Sequence, residues 1–101
     1  MTAAAFVECS DPERLARAMA RHFGHKVPVE QVGRVTRVEL RMGRFELEPR
    51  AGGLGVRAVA DDESRLADVR RISADHLARF ARPQAIDVMW GQAAVVTEGE
   101  R

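Results

Sequence analysis

Apolar and polar residues alternate from Ala3 to Cys9, with Ala5, Val7 and Cys9 on one side and Phe6 and Glu8 on the other. A period of two predicts a strand. Ser10-Asp11-Pro12-Glu13 then has the make-up of a capping box, in which the Ser10 hydroxyl accepts from the Glu13 amide and the Glu13 side chain reaches back. Pro12 suits a first turn, whose amides have no helical partner. Leu15, Met19, His22 and Phe23 recur behind it at helical spacing. Gly24 is placed to end that helix in a left-handed conformation.

Val27-Pro28-Val29 is extended, because a proline disfavours a helical residue before it. Three strands are expected next. Thr36, Val38 and Leu40 point one way and Arg37, Glu39 and Arg41 the other. Phe45 and Leu47 alternate with Arg44, Glu46 and Glu48, and Leu54, Val56, Ala58 and Ala60 share a face. Met42-Gly43 and Gly52-Gly53 supply the turns, with Gly43 free to take positive φ. Charged residues on these strands are placed to pair across the sheet.

Asp61 or Asp62 caps a second helix, in which Leu66, Val69, Ser73, His76, Leu77 and Phe80 recur every three or four residues beside Ile72. Pro83 ends it, and Ile86, Val88 and Trp90 form the apolar face of a last strand. Residues 92–101 show no period and read as a frayed tail behind a single domain over 1–91. The order β-α-β-β-β-α-β predicts an α+β two-layer sandwich, with two helices on one face of a mostly antiparallel five-stranded sheet. Phe6, Val59 and Met89 would lie among charges on the other face, which is either solvated or a dimer face.

With 101 residues there is room for one domain, and 46% apolar with 31% charged residues is a globular composition. Lys+Arg 16 against Asp+Glu 15 leaves a net charge of +1 with mixed signs, so nothing marks a nucleic-acid partner. Cys9 is the sole cysteine, which excludes an intramolecular disulfide and a cysteine metal cluster. No apolar run approaches the ~18 residues of a membrane span. The apolar stretch from Ala3 to Val7 is short for a signal peptide, so the expected location is the cytoplasm.

Candidate chemistry rests on three histidines. His22 and His25 lie in His22-Phe23-Gly24-His25-Lys26, and His76 in Asp75-His76-Leu77-Ala78-Arg79-Phe80. With the helices side by side, His22 and His76 both face inward near the helix C-termini. Converging imidazoles can hold a transition metal or a haem iron, with Asp75 or Glu30 as acceptors that fix the rings. The alternative is that the histidines are half-buried packing residues. Cys9 reads as a buried, inert thiol. The serines lack a nucleophile-elbow context, and Gly52-Gly53-Leu54-Gly55 does not precede a helix as a phosphate loop would. No catalytic constellation emerges, and the reading leans away from an enzyme.

The run from His22 to Glu30, Gly43-Arg44-Phe45-Glu46-Leu47-Glu48 and Asp75-His76-Leu77-Ala78-Arg79-Phe80-Ala81 together resemble the bacterial domain-of-unknown-function family 2218. The resemblance extends from about Ala5 to Trp90. Members occur alone or joined to siderophore-interacting, FAD-binding proteins. The resemblance therefore implies an accessory role in siderophore-linked iron handling, with a siderophore-interacting flavin reductase as partner. It places His22, His25 and His76 inside the family's motifs, with Lys26, Glu30, Asp75 and Arg79 beside them. Ala20 stands where many members carry a cysteine, and Arg82-Pro83 where an aromatic–arginine pair is expected. Three readings follow: an accessory binding domain, a histidine-dependent metal- or haem-binding protein with weak haem oxygenase activity as its extreme form, and a homodimeric interaction module.

Overall fold

A computed structural model describes residues 1–91 of the chain. The tail expected over 92–101 lies outside the described residues. The first strand, β1 (Thr2–Glu8), leads into α1 (Pro12–Gly24). Asp11, not Ser10, caps this helix: its carboxylate accepts from the Arg14 amide at 3.1 Å. Ser10 is engaged elsewhere, its amide and hydroxyl both donating to the Gln84 side chain at 3.2 Å. Pro12 occupies the first turn as expected. Gly24 does not turn left-handed. The helix runs through it and is capped by His25 at φ −76°, while the Phe23 carbonyl accepts from the amides of Lys26 and Val27.

Four strands follow in sequence: β2 (Val29–Val32), β3 (Val35–Glu39), β4 (Gly43–Arg50) and β5 (Gly53–Ala60), and then α2 (Glu63–Ala81). Asp62 caps α2 by accepting from the Arg65 amide at 2.8 Å. The sheet order is β1-β5-β4-β3-β2 with antiparallel pairing throughout. The α+β sandwich of two helices and five strands is thus present, but the fifth strand is β2 and not the segment around Ile86–Trp90. Gly33, at φ 61°, provides the left-handed residue that the tight β2–β3 hairpin needs.

Residues Ile86, Val88 and Trp90 still alternate, half-buried, with exposed Asp87 and Met89, and they pack against the core. Ser10 meets Gln84 at one end of β1, and the Gly91 amide donates to the Ala4 carbonyl at 3.0 Å further along it. The segment therefore runs antiparallel beside the outer edge of β1. A single ladder bond does not make it a strand. Gly43 also departs from expectation, because its φ is not positive. It is glycine for closeness instead: a Cβ there would lie 2.4 Å from the Val59 carbonyl and 3.0 Å from a Val69 methyl.

The core lies between the sheet and both helices. Val7, Met19, Phe45, Leu54, Val69 and Leu77 have no exposed surface. Each contributes roughly 1.5–3 kcal/mol by leaving water. Cys9 is buried on the inward side of its strand end, and burial, reinforced by Asp11, pushes its thiol pKa up. Ser73 is buried on α2 and satisfied by the Val69 carbonyl, which accepts from its hydroxyl at 2.8 Å. No helix among the described residues is long and apolar enough to cross a membrane.

Candidate functional site

His22 sits in the last turn of α1, one residue before buried Phe23 and three after buried Met19, so the apolar stripe carries its ring toward α2. His76 lies on the matching stripe of α2. The two imidazoles meet with centroids 5.1 Å apart, tilted by 42°. Phe80, four residues after His76, stands 5.2 Å from His22. Phe23 lies against both imidazoles, at 5.0 and 4.8 Å, and stacks edge-on against Phe45 of the sheet at 5.3 Å. A column of rings thus runs from β4 to the helix ends, and both histidines are half-buried at its outer tip.

His76 is fixed by its own helix. Its Nδ1 lies 2.8 Å from the Ile72 carbonyl. A carbonyl oxygen only accepts, so Nδ1 carries the hydrogen and the neutral ring keeps its Nε2 lone pair free. The acceptor expected from Asp75 or Glu30 is therefore a backbone carbonyl. Asp75 is exposed on α2. Glu30 faces the opposite side of the sheet, where Arg37 approaches it at 3.4 Å.

His25 does not join the pair; it is exposed at the helix cap, as is Lys26 beside it. Arg79 places its guanidinium 5.5 Å above the Phe80 ring. Partial burial pushes the His22 imidazole below its ordinary pKa, and His76, Lys26, Arg79 and His25 push the same way. Each charged neighbour that moves His22 is thus basic. Among the described residues there is no group of three or more His, Cys, Asp or Glu placed to hold a metal ion. Ala20 lines a separate groove of about 340 Å³ with Ala16, Gln31 and Thr36.

The open face of the sheet carries a second feature. Glu46, its side chain 13% exposed, takes the Nε groups of Arg37 and Arg44 at 3.1 Å each and lies 4.0 Å from Arg57. Beside it runs a groove of about 530 Å³ whose lining includes Phe6, Gly55, Arg50 and Met89. Phe6 is 46% and Met89 75% exposed. The Arg50 guanidinium lies where a Gly55 Cβ would be, at 2.7 Å. The sequence signal for this trough is Gly53-x-Gly55: glycines two apart in a strand bare the same face. Reading Gly53 only as a turn residue hides it.

No curated protein matches the chain. Among solved structures, the NMR structure of PA4090 from Pseudomonas aeruginosa is similar in fold, with a TM-score of 0.75 at 24% identity over 91% of this chain and 96% of that one. Residues 4–91 match the family profile described as "Uncharacterized protein conserved in bacteria (DUF2218)". With nearly all of the described residues inside that match, the chain belongs to this bacterial family.

Proposed function

We propose that the chain is a small, non-catalytic, cytoplasmic binding domain in siderophore-linked iron handling, which meets its ligand at the paired His22 and His76. The observation that carries this reading is the convergence of two imidazoles from different helices at a half-exposed tip ringed by Phe23 and Phe80. Neither ring is consumed by an ion pair among the described residues, and the Nε2 of His76 is free. The siderophore context and a flavin-reductase partner come from the family resemblance alone.

The test is an absorbance titration of the purified protein with ferric haem and with a ferric catecholate, in parallel with His22→Ala and His76→Ala. Saturable binding lost in both variants supports the site. Identical binding, or none, in all three proteins refutes it. Self-association is favoured by a different observation, the exposed Phe6 and Met89 beside the open-face groove. A sedimentation series would show mass rising with concentration and falling in Phe6→Glu; a monomer throughout refutes a homodimer.

A further inference from the structure

The charges of this molecule are arranged unequally between its two sides. On the open sheet face Arg37, Arg44 and Arg57 gather on Glu46, and Arg50 rests on Glu48 at 3.2 Å. Along the helices Arg14, Arg65 and Arg71 pair with carboxylates within or just before their own helix, whereas Arg17, Arg21 and Arg70 take part in no salt bridge among the described residues. The tip around the two histidines contrasts with the sheet face. Among the described residues no carboxylate lies within 4.0 Å of His22, His25, Lys26, His76 or Arg79. Asp75, next to His76 in sequence, is exposed and also takes part in no salt bridge there.

A free divalent cation seated between the imidazoles would meet these basic neighbours and find no third protein ligand. An anion meets the reverse situation. Arg79 already holds its guanidinium over the Phe80 ring at 5.5 Å, and Phe80 stands against His22, so cationic donors and an aromatic wall share one surface. We infer that the His22–His76 tip takes an anionic aromatic oxygen ligand of the aryl-carboxylate or catecholate class, free or as its anionic metal chelate, and not a bare metal cation. This rests on the binding reading above and narrows its ligand.

A chemical consequence separates the two ligand types. With Nδ1–H committed to Ile72, the His76 ring must gain a proton on Nε2 before it can donate to an oxyanion. Anion binding therefore takes up protons, whereas a metal on the neutral imidazole nitrogen takes up none and displaces any proton already there. The charged groups that set this balance are His22, His25 and Lys26 at the end of α1 and Asp75, His76 and Arg79 on α2. The sheet contributes only the uncharged Phe45 to the ring column.

The experiment titrates the full chain with salicylate, inorganic phosphate and zinc chloride in turn, followed by the imidazole NMR signals and by calorimetry in two buffers of different ionisation enthalpy. Salicylate is expected to shift His22 and His76 with net proton uptake and to bind more tightly than phosphate. Arg79→Gln should weaken it at least about tenfold, the loss of one charge-assisted contact. Arg79→Lys should recover part of that loss, and the distant Arg65→Gln should leave binding unchanged. Zinc binding without proton uptake, unaffected by Arg79→Gln and without any salicylate response, overturns the charge argument while keeping the histidine site. Equal affinity for phosphate and salicylate overturns the aromatic part. Silence of both histidines toward all three probes overturns the site itself.

Discussion

Replacing Glu46 with glutamine removes one negative charge from the middle of three guanidiniums and changes little else in shape. Glu46 is the most enclosed carboxylate of the sheet-face ion pairs, and Arg37 and Arg44 both donate to its Oε2 at 3.1 Å. Arg37, Arg44 and Arg57 are themselves 35%, 37% and 56% exposed, so solvent discounts each pair toward the range of about 0.2–1 kcal/mol found at surfaces. Two close pairs, one distant pair and the repulsion left among three arginines give an expected loss of about 1–2 kcal/mol. For a domain of this size that lowers Tm by roughly 4–8 °C per kcal/mol. The control is Glu48→Gln, which touches one exposed arginine at 3.2 Å and should cost about 0.5 kcal/mol or less. Urea unfolding followed by Trp90 fluorescence and circular dichroism, at low and at high salt, reads both variants. The Glu46→Gln deficit should shrink with salt, because screening relieves the uncompensated arginines. A loss below about 0.3 kcal/mol, or one independent of salt, would refute the reading of Glu46 as the electrostatic centre of this face.

Met19→Ala, at a position with no exposed surface, should cost about 2–5 kcal/mol in the same unfolding assay with the m-value unchanged. The Cys9 thiol, buried and with a raised pKa, should react with a disulfide reagent at least about tenfold more slowly in the folded protein than in urea; equal rates would place it at the surface. His22 has a folded pKa below its unfolded value near 6.5, so the unfolded chain binds the extra proton first. Its contribution to stability is complete above pH 6.5 and is lost as pH falls through the lower, folded value. Tm measured across this window should decline less steeply for His22→Phe, which keeps a ring against Phe80; parallel curves would remove His22 as the cause.

How far the sequence reveals this fold depends on what each pattern physically reports. Alternation tells which side of an extended segment is buried, and it does so correctly at Ile86, Val88 and Trp90. It does not report whether backbone amides find a ladder, and there only Gly91 does. The opposite error occurs at Val29–Val32, four residues with valines at both ends, which alternation is too short to declare. The sign was Gly33 between two valine-bounded segments, a hairpin turn. Capping chemistry was legible as a type and ambiguous by one position, since Ser10 and Asp11 are equally able to accept. Gln84, remote in sequence, decides it by engaging Ser10. Helical periodicity was strong enough to bring His22 and His76 together, because both lie on apolar stripes facing the same interface. His25 follows Gly24 outside that stripe. Glu30 fails as a partner because the period of two sends it to the side of Arg37. The sheet-face groove depends on bare backbone at Gly55, a feature made of missing atoms and thus weak in any pattern of side chains.

The outermost strand of the sheet has a consequence for how copies of this chain can meet. The free edge of β2 is four residues long, follows a proline, and exposes Glu30 and Gln31. Such an edge offers a neighbour few backbone groups and opposes a like-charged glutamate at close range. At the other margin residues 86–91 already run beside β1. Growth of the sheet from molecule to molecule is therefore disfavoured at both margins. An assembly of this protein is favoured face to face or through its helices over continuation of the sheet from edge to edge.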